Sequence, residues 1–139
     1  MTQSQLEARL TEDLIKNEGL RLMPYQDTVG KLTIGVGRNL DDGGISKEEA
    51  LYLLSNDIGN VLSELSEKVD CWSSLPDTKK IALADMCFNL GWPRLSKFKR
   101  MMAALEGGDF DLAATEALDS KWAKQVGQRS ERIATLLRS

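Results

Sequence analysis

Asn17-Glu18-Gly19-Leu20-Arg21-Leu22, Tyr25-Gln26-Asp27-Thr28 and Gly30-Lys31-Leu32-Thr33-Ile34-Gly35-Val36-Gly37 form one stretch in which a helical repeat stops and an alternating, glycine-punctuated pattern begins. Upstream of it, Leu6, Leu10, Leu14 and Ile15 recur at helical spacing, so the sequence predicts an amphipathic helix from about residue 3 to 18 that Gly19 ends. Glu18 continues that apolar ladder, which places a carboxylate on the face expected to be buried. Downstream, β-formers and glycines alternate between Pro24 and Asp42, which predicts a small antiparallel sheet with turns near Val29-Gly30 and Asp42-Gly43.

Farther along, Ser46 and Glu49 form a capping-box pair and open a long helix over about 46–69. Asp77 or Thr78 caps the next helix, whose residues up to Leu90 are apolar nearly all round and therefore expected at the centre of the core. Shorter helices fit Leu95–Leu105, Phe110–Leu118 and Arg129–Leu137, with breaks at Gly91-Trp92-Pro93, Gly107-Gly108 and Gly127. The expected fold class is α+β and mainly helical.

Asp27 and Thr33 fall on the hairpin that starts just after Glu18, so two carboxylates and a hydroxyl are expected near one edge. Cleavage of a glycosidic bond needs an acid to protonate the leaving oxygen and a second carboxylate to activate water, act as nucleophile or stabilise the transition state. Burial would keep a glutamate protonated near neutral pH, while an aspartate closer to solvent stays ionised. Each residue also has an ordinary reading: Glu18 as a salt-bridged helix end, Thr33 as a β-former.

The three quoted strings resemble the phage-type lysozymes of glycoside hydrolase family 24, and the spacing of that family's catalytic set is met by Glu18, Asp27 and Thr33. Weaker likeness continues through Ser46-Lys47-Glu48-Glu49-Ala50, Phe88-Asn89-Leu90-Gly91, Ser120-Lys121-Trp122 and Gln128-Arg129-Ser130-Glu131-Arg132. The resemblance implies one lysozyme-like domain: a small sheet lobe over about 14–57 carrying the catalytic residues, joined by a long helix to a helical lobe over about 58–139, with residues 3–13 belonging to the latter. It further implies Glu18 as general acid, Asp27 as the carboxylate that activates water, Thr33 as a hydroxyl holding that water, and Arg129 as a partner of the glutamate. Phe88 and Asn89 resemble the family's cleft-lining pair, although glutamine is more familiar at the second position; Phe88 alone would read as core, Arg129 as an exposed cation. Arg38 stands where a histidine commonly follows the last hairpin glycine, Asn17 where an acidic residue is frequent, and the chain is short between Val36-Gly37 and the long helix.

The activity implied is hydrolysis of the β-1,4 bond between N-acetylmuramic acid and N-acetylglucosamine in peptidoglycan, by inversion and for bacterial lysis. No cofactor is implied, so excess chelator should leave lysis unchanged, and the rate should fall on the alkaline side as Glu18 loses its proton. Within enzymes the rival is a lytic transglycosylase, which leaves a 1,6-anhydro product and has less need of Asp27; outside them it is a non-catalytic peptidoglycan-binding module, which would tolerate Glu18→Gln.

With 139 residues, 42 % of them apolar, the chain has the size of one domain. Residues 1–70 hold 7 basic and 13 acidic side chains, a balance of −6, and residues 71–139 hold 11 and 8, a balance of +3. Lys121, Lys124, Arg129, Arg132 and Arg138 make a basic tail that could face an anionic polymer or simply water. Lys79, Lys80, Lys97, Lys99 and Arg100 favour a DNA-binding helix, but a net charge of −3 and the lack of a compact basic recognition helix argue against nucleic acid. Cys71 and Cys87 are too few for a disulfide framework and are expected as packed thiols, and no zinc-type spacing exists without histidine. No signal-like or membrane-spanning run occurs, so the expected location is the bacterial cytoplasm, as a monomer, with release to the wall through a separate pore-forming protein.

Overall fold

The computed structural model describes residues 1–139 and divides into two compact units, Met1–Leu51 and Tyr52–Ser139. The first unit opens with α1 (Gln3–Glu18), which begins in a capping box: the Thr2 hydroxyl accepts from the Gln5 amide and the Gln5 side chain accepts from the Thr2 amide. It ends at Gly19, whose φ of 77° an L side chain would resist. Three antiparallel strands follow in sequence order, β1 (Arg21–Gln26), β2 (Leu32–Gly35) and β3 (Arg38–Asn39). Tyr25 pairs with Thr33 and Arg21 with Gly35, and a register shift between those pairs bends β1.

The expected helix and hairpin are both present, but the expected burial of α1 is not. No residue of α1 is buried; Leu6, Leu10, Leu14 and Ile15 keep 41–48 % of their surface. Helical periodicity reports amphipathicity, whereas cover depends on what packs against the face, and the three short strands supply no second layer of buried apolar side chains. Residues 3–13 fall in the same compact unit as the three strands.

The long helix α2 (Lys47–Lys68) starts at the anticipated capping box, with the Ser46 amide on Glu49 and the Glu49 amide on the Ser46 hydroxyl. Arg38 of β3 donates to the same Glu49 carboxylate at 2.7 Å. The second unit holds the rest of α2, a 3-10 turn at Trp72–Ser74, and α3 (Asp77–Leu90), α4 (Trp92–Leu95), α5 (Lys99–Glu106), α6 (Phe110–Leu118), α7 (Lys121–Val126) and α8 (Gln128–Arg138). α8 packs on α3, α6 and α7, and α6 also packs on α5. Leu65, Leu83, Met86, Leu95, Met101, Ile133 and Leu137 are its fully buried large side chains.

α3 is central as expected, but not buried all round: Ile81 is 56 % and Phe88 47 % exposed. They border an open groove with Leu54, Ile58 and Leu62 of α2. The expected helix over 95–105 is two helices, because Phe98 leaves helical geometry at φ −77°, ψ 59° and stacks edge-on against Trp122, ring centres 6.2 Å apart. Both cysteines are free thiols, Cys87 buried and Cys71 partly so, and burial pushes both up from the usual thiol range. No helix is long and apolar enough to cross a membrane.

Candidate active site

Asp27 sits where β1 turns into β2. Its Oδ1 accepts from the backbone N–H of Val29 at 2.9 Å and of Lys31 at 2.8 Å, and its own N–H donates to the Lys31 carbonyl. An aspartate two residues before the tip of a tight turn satisfies the turn's amides in this way, so the side chain is fixed by its own hairpin. Oδ2 takes no part in these bonds.

Thr33 faces inward from β2 and is 3 % exposed, the one buried side chain of the first unit. Its hydroxyl donates to the Lys31 carbonyl at 2.9 Å, which aims the oxygen's lone pairs away from that contact. Lys31 thus ties both residues: its amide holds Asp27, its carbonyl holds Thr33, and its ammonium reaches Asp42 at 3.2 Å. The Leu32 amide donates to Asp41 at 2.7 Å, so the Asp41-Asp42 turn braces the same strand.

Glu18 is the last residue of α1, and its carboxyl group leans on the backbone of Gly37. A Cβ placed on Gly37 would lie 3.1 Å from Glu18 Oε2 and 3.2 Å from its Cδ. Gly37 has a φ of 68°, so glycine is required there both by conformation and by the closeness of the glutamate. The segment Lys31–Gly37 therefore supports all three expected catalytic residues, with Asp27 and Thr33 at its start and Glu18 at its end. Within its own unit Glu18 is exposed, its neighbour being a bare glycine backbone and not a packed apolar wall.

In the second unit, Arg129 is held by Asp85 of α3, with Nε on Oδ1 at 2.7 Å and a terminal N–H on the Asp85 carbonyl. Asp85 escaped the sequence reading, although a single carboxylate inside a nearly all-apolar helix was a visible signal. Phe88 and Asn89, read as a pair, have different surroundings. Phe88 lies on the apolar groove beside Asp85 and Arg129, while Asn89 Oδ1 accepts from the buried Trp122 indole at 2.8 Å. Gly37 was also missed, since its importance lies in a contact across the chain that a single sequence does not display.

The family described as phage lysozyme matches residues 15–138, a span that contains every one of these positions. A probable T4-type lysozyme of Dictyostelium discoideum is 28 % identical, over 90 % of this chain and 91 % of its own length. An endolysin from Acyrthosiphon pisum secondary endosymbiont phage 1 is 32 % identical, over 84 % of this chain and 81 % of its own length. The pre-baseplate central spike protein Gp5 of Enterobacteria phage T4 is 27 % identical over 92 % of this chain, which spans only 27 % of that much longer protein. Matched over most of its length, from the end of α1 to α8, the chain belongs to the phage lysozyme family, a family of glycoside hydrolases.

Proposed function

We propose that the protein is an endolysin that hydrolyses the β-1,4 bond between N-acetylmuramic acid and N-acetylglucosamine in peptidoglycan, with inversion at the anomeric carbon. Glu18 gives its proton to the bridging oxygen, Asp27 takes a proton from the attacking water, and Thr33 holds that water. The support for this reading is the common seat of the three groups on Lys31–Gly37, together with the family. Asp27 is pinned through Oδ1 and keeps Oδ2 for a water; the Thr33 hydroxyl, already donating to Lys31, has acceptor capacity left for the water's hydrogen. In an inverting reaction the water must fit between the second carboxylate and the sugar, on the face opposite the acid.

Because Glu18 is exposed, the bound glycan is what removes water from around its carboxyl group. Arg129, which Asp85 holds in place, is assigned to the support of Glu18, and Phe88 and Asn89 to contact with the glycan. We further assign the protein to the cytoplasm of the host bacterium, acting on the wall as a monomer once a separate pore-forming protein opens the membrane.

The test is clearance of outer-membrane-permeabilised cells, with mass spectrometry of the released glycans. Glu18→Gln should lose roughly 10²–10⁴-fold in rate as a lost general acid. Asp27→Asn should lose activity while melting like the native protein, since an amide oxygen can still accept from Val29 and Lys31; Asp27→Ala should lose about 1–3 kcal/mol of stability as well. Products lighter by one water would overturn the hydrolytic reading in favour of a transglycosylase. Full activity of Glu18→Gln would overturn the assignment of the acid.

A further inference from the structure

A second hollow lies in the helical unit, about 610 Å³ in volume, lined from α4, α5, α6 and α7. Arg94, Lys97, Lys99, Arg100 and Lys121 stand around it, all on exposed positions. Glu116 and Asp119 share the wall, so five cations and two carboxylates leave a charge of +3. None of the five cations has a carboxylate within ion-pair distance; the chain's ion pairs, Arg9–Asp13, Lys31–Asp42, Arg38–Glu49, Lys68–Glu64 and Arg129–Asp85, lie elsewhere. Lys99 and Arg100 also sit in the first turn of α5, where the helix dipole disfavours cations and no acidic residue offsets them. Buried Trp122 and half-buried Phe98 hold the hollow's shape from beneath.

We propose that this hollow is a phosphate-binding subsite through which the protein grips a phosphodiester-bearing polymer of the bacterial wall. Like charges brought together in excess of their internal counter-charge are relieved by an external anion. Phosphate fits better than a carboxylate: it offers more acceptor oxygens and more charge density to two arginine forks and three lysines, while the two carboxylates already in the wall leave those cations unengaged. A polymer fits better than a bilayer, because the cations ring a concavity and no large exposed apolar side chain lines it to anchor in lipid. The choice of a wall polymer rests on the proposed function, whereas binding of phosphate itself needs no turnover.

The probe is pyrophosphate at low ionic strength, followed by calorimetry and by amide and indole NMR shifts. Binding should displace the signals of residues 94–100 and the Trp122 indole. The variant K97Q/K99Q/R100Q should weaken it about tenfold or more, and K124Q/R132Q/R138Q, which removes equal charge from α7 and α8 outside the hollow, by no more than about twofold. In the Glu18→Gln background, Gram-positive walls, which carry phosphodiester polymers, should sediment the protein, and the same walls stripped of them by hydrofluoric acid should sediment much less. The proposal is overturned if the two triple variants weaken pyrophosphate equally, if tricarballylate binds as tightly as pyrophosphate, if stripped walls bind as well as intact ones, or if phosphatidylglycerol vesicles bind the protein where intact walls do not.

Discussion

Gly35 and Gly37 stand two residues apart on the same side of the backbone map, at φ 70° and 68°, yet only Gly37 has a side chain resting on it. Alanine at either position forces an L residue into the left-handed region at a cost of about 1–2 kcal/mol. At Gly37 the new methyl group also meets Glu18 Oε2 at 3.1 Å, so the glutamate must move by a few tenths of an ångström or take another rotamer. At Gly35 a methyl group meets nothing within 4 Å. Both variants should therefore melt lower by similar amounts, but Gly37→Ala should lose on the order of tenfold more kcat than Gly35→Ala, because small misplacements of a reacting group are costly. Equal losses of kcat would show that the Glu18–Gly37 contact does not position the acid. At this scale the placement of Glu18, Asp27 and Thr33 was legible from their spacing, since the offsets between them are local to one helix end and one hairpin. Their partners were not: Gly37 under Glu18, Asp85 on Arg129 and Trp122 on Asn89 are contacts made by folding, and nothing in the neighbouring sequence encodes them.

Between β3 and α2 one carboxylate serves two masters. Glu49 accepts from the Ser46 amide at 2.9 Å as half of the capping box and from Arg38 at 2.7 Å, so a single side chain both starts α2 and ties it to the sheet. The Arg38 hydrogen bond, with the Ser46 contacts behind it, holds the Glu49 carboxyl down at about 2 from its ordinary 4.5. A group whose folded value is depressed stabilises the fold above its unfolded value and loses that contribution as pH falls through the folded one. The start of α2 should accordingly loosen between about pH 4.5 and pH 2, and Glu49→Gln should flatten the stability slope in that window. Both side chains are exposed, so 1 M salt should shrink the slope. An unchanged slope in Glu49→Gln would assign acid loosening to other carboxylates. Elements with punctuation at their ends were the legible ones: Gly19 closes α1, Ser46 and Glu49 open α2, and Gly91 closes α3 within a residue of expectation. α7 was missed because six residues are too short for periodicity to register, although Ser120 capping the Ala123 amide and Gly127 at φ 59° bound it. The split of 95–105 was missed because Phe98 leaves the helix to meet Trp122, a choice made by packing rather than by propensity.

Over the whole molecule, apolar burial is confined to one part of the chain: every buried apolar side chain lies between Leu65 and Leu137. Residues 1–51 bury only Thr33 and hold their shape through backbone pairing, the Asp27 turn, the Asp41 and Asp42 brackets and the Arg38–Glu49 tie. The hydrophobic term is the main favourable contribution to folding, and each hydrogen bond adds a net of only about 1 kcal/mol, so the sheet unit should open at lower free energy than the helical core. Native-state hydrogen exchange should find the amides of β1 and β2 opening sub-globally at denaturant concentrations where those of α3, α6 and α8 remain closed. The three catalytic candidates ride on this softer unit, and a glycan spanning Lys31–Gly37 would be the missing cover. In the Glu18→Gln protein, a chitooligosaccharide at 100 times its dissociation constant should raise the opening free energy of the β1 and β2 amides by up to about 2.7 kcal/mol, the limit set by mass action when only the closed form binds. The core amides should gain no more than the global stabilisation. If β1 and β2 exchange only by global unfolding without ligand, the sheet is stabilised by something other than its own bonds, and the glycan has no cover left to supply.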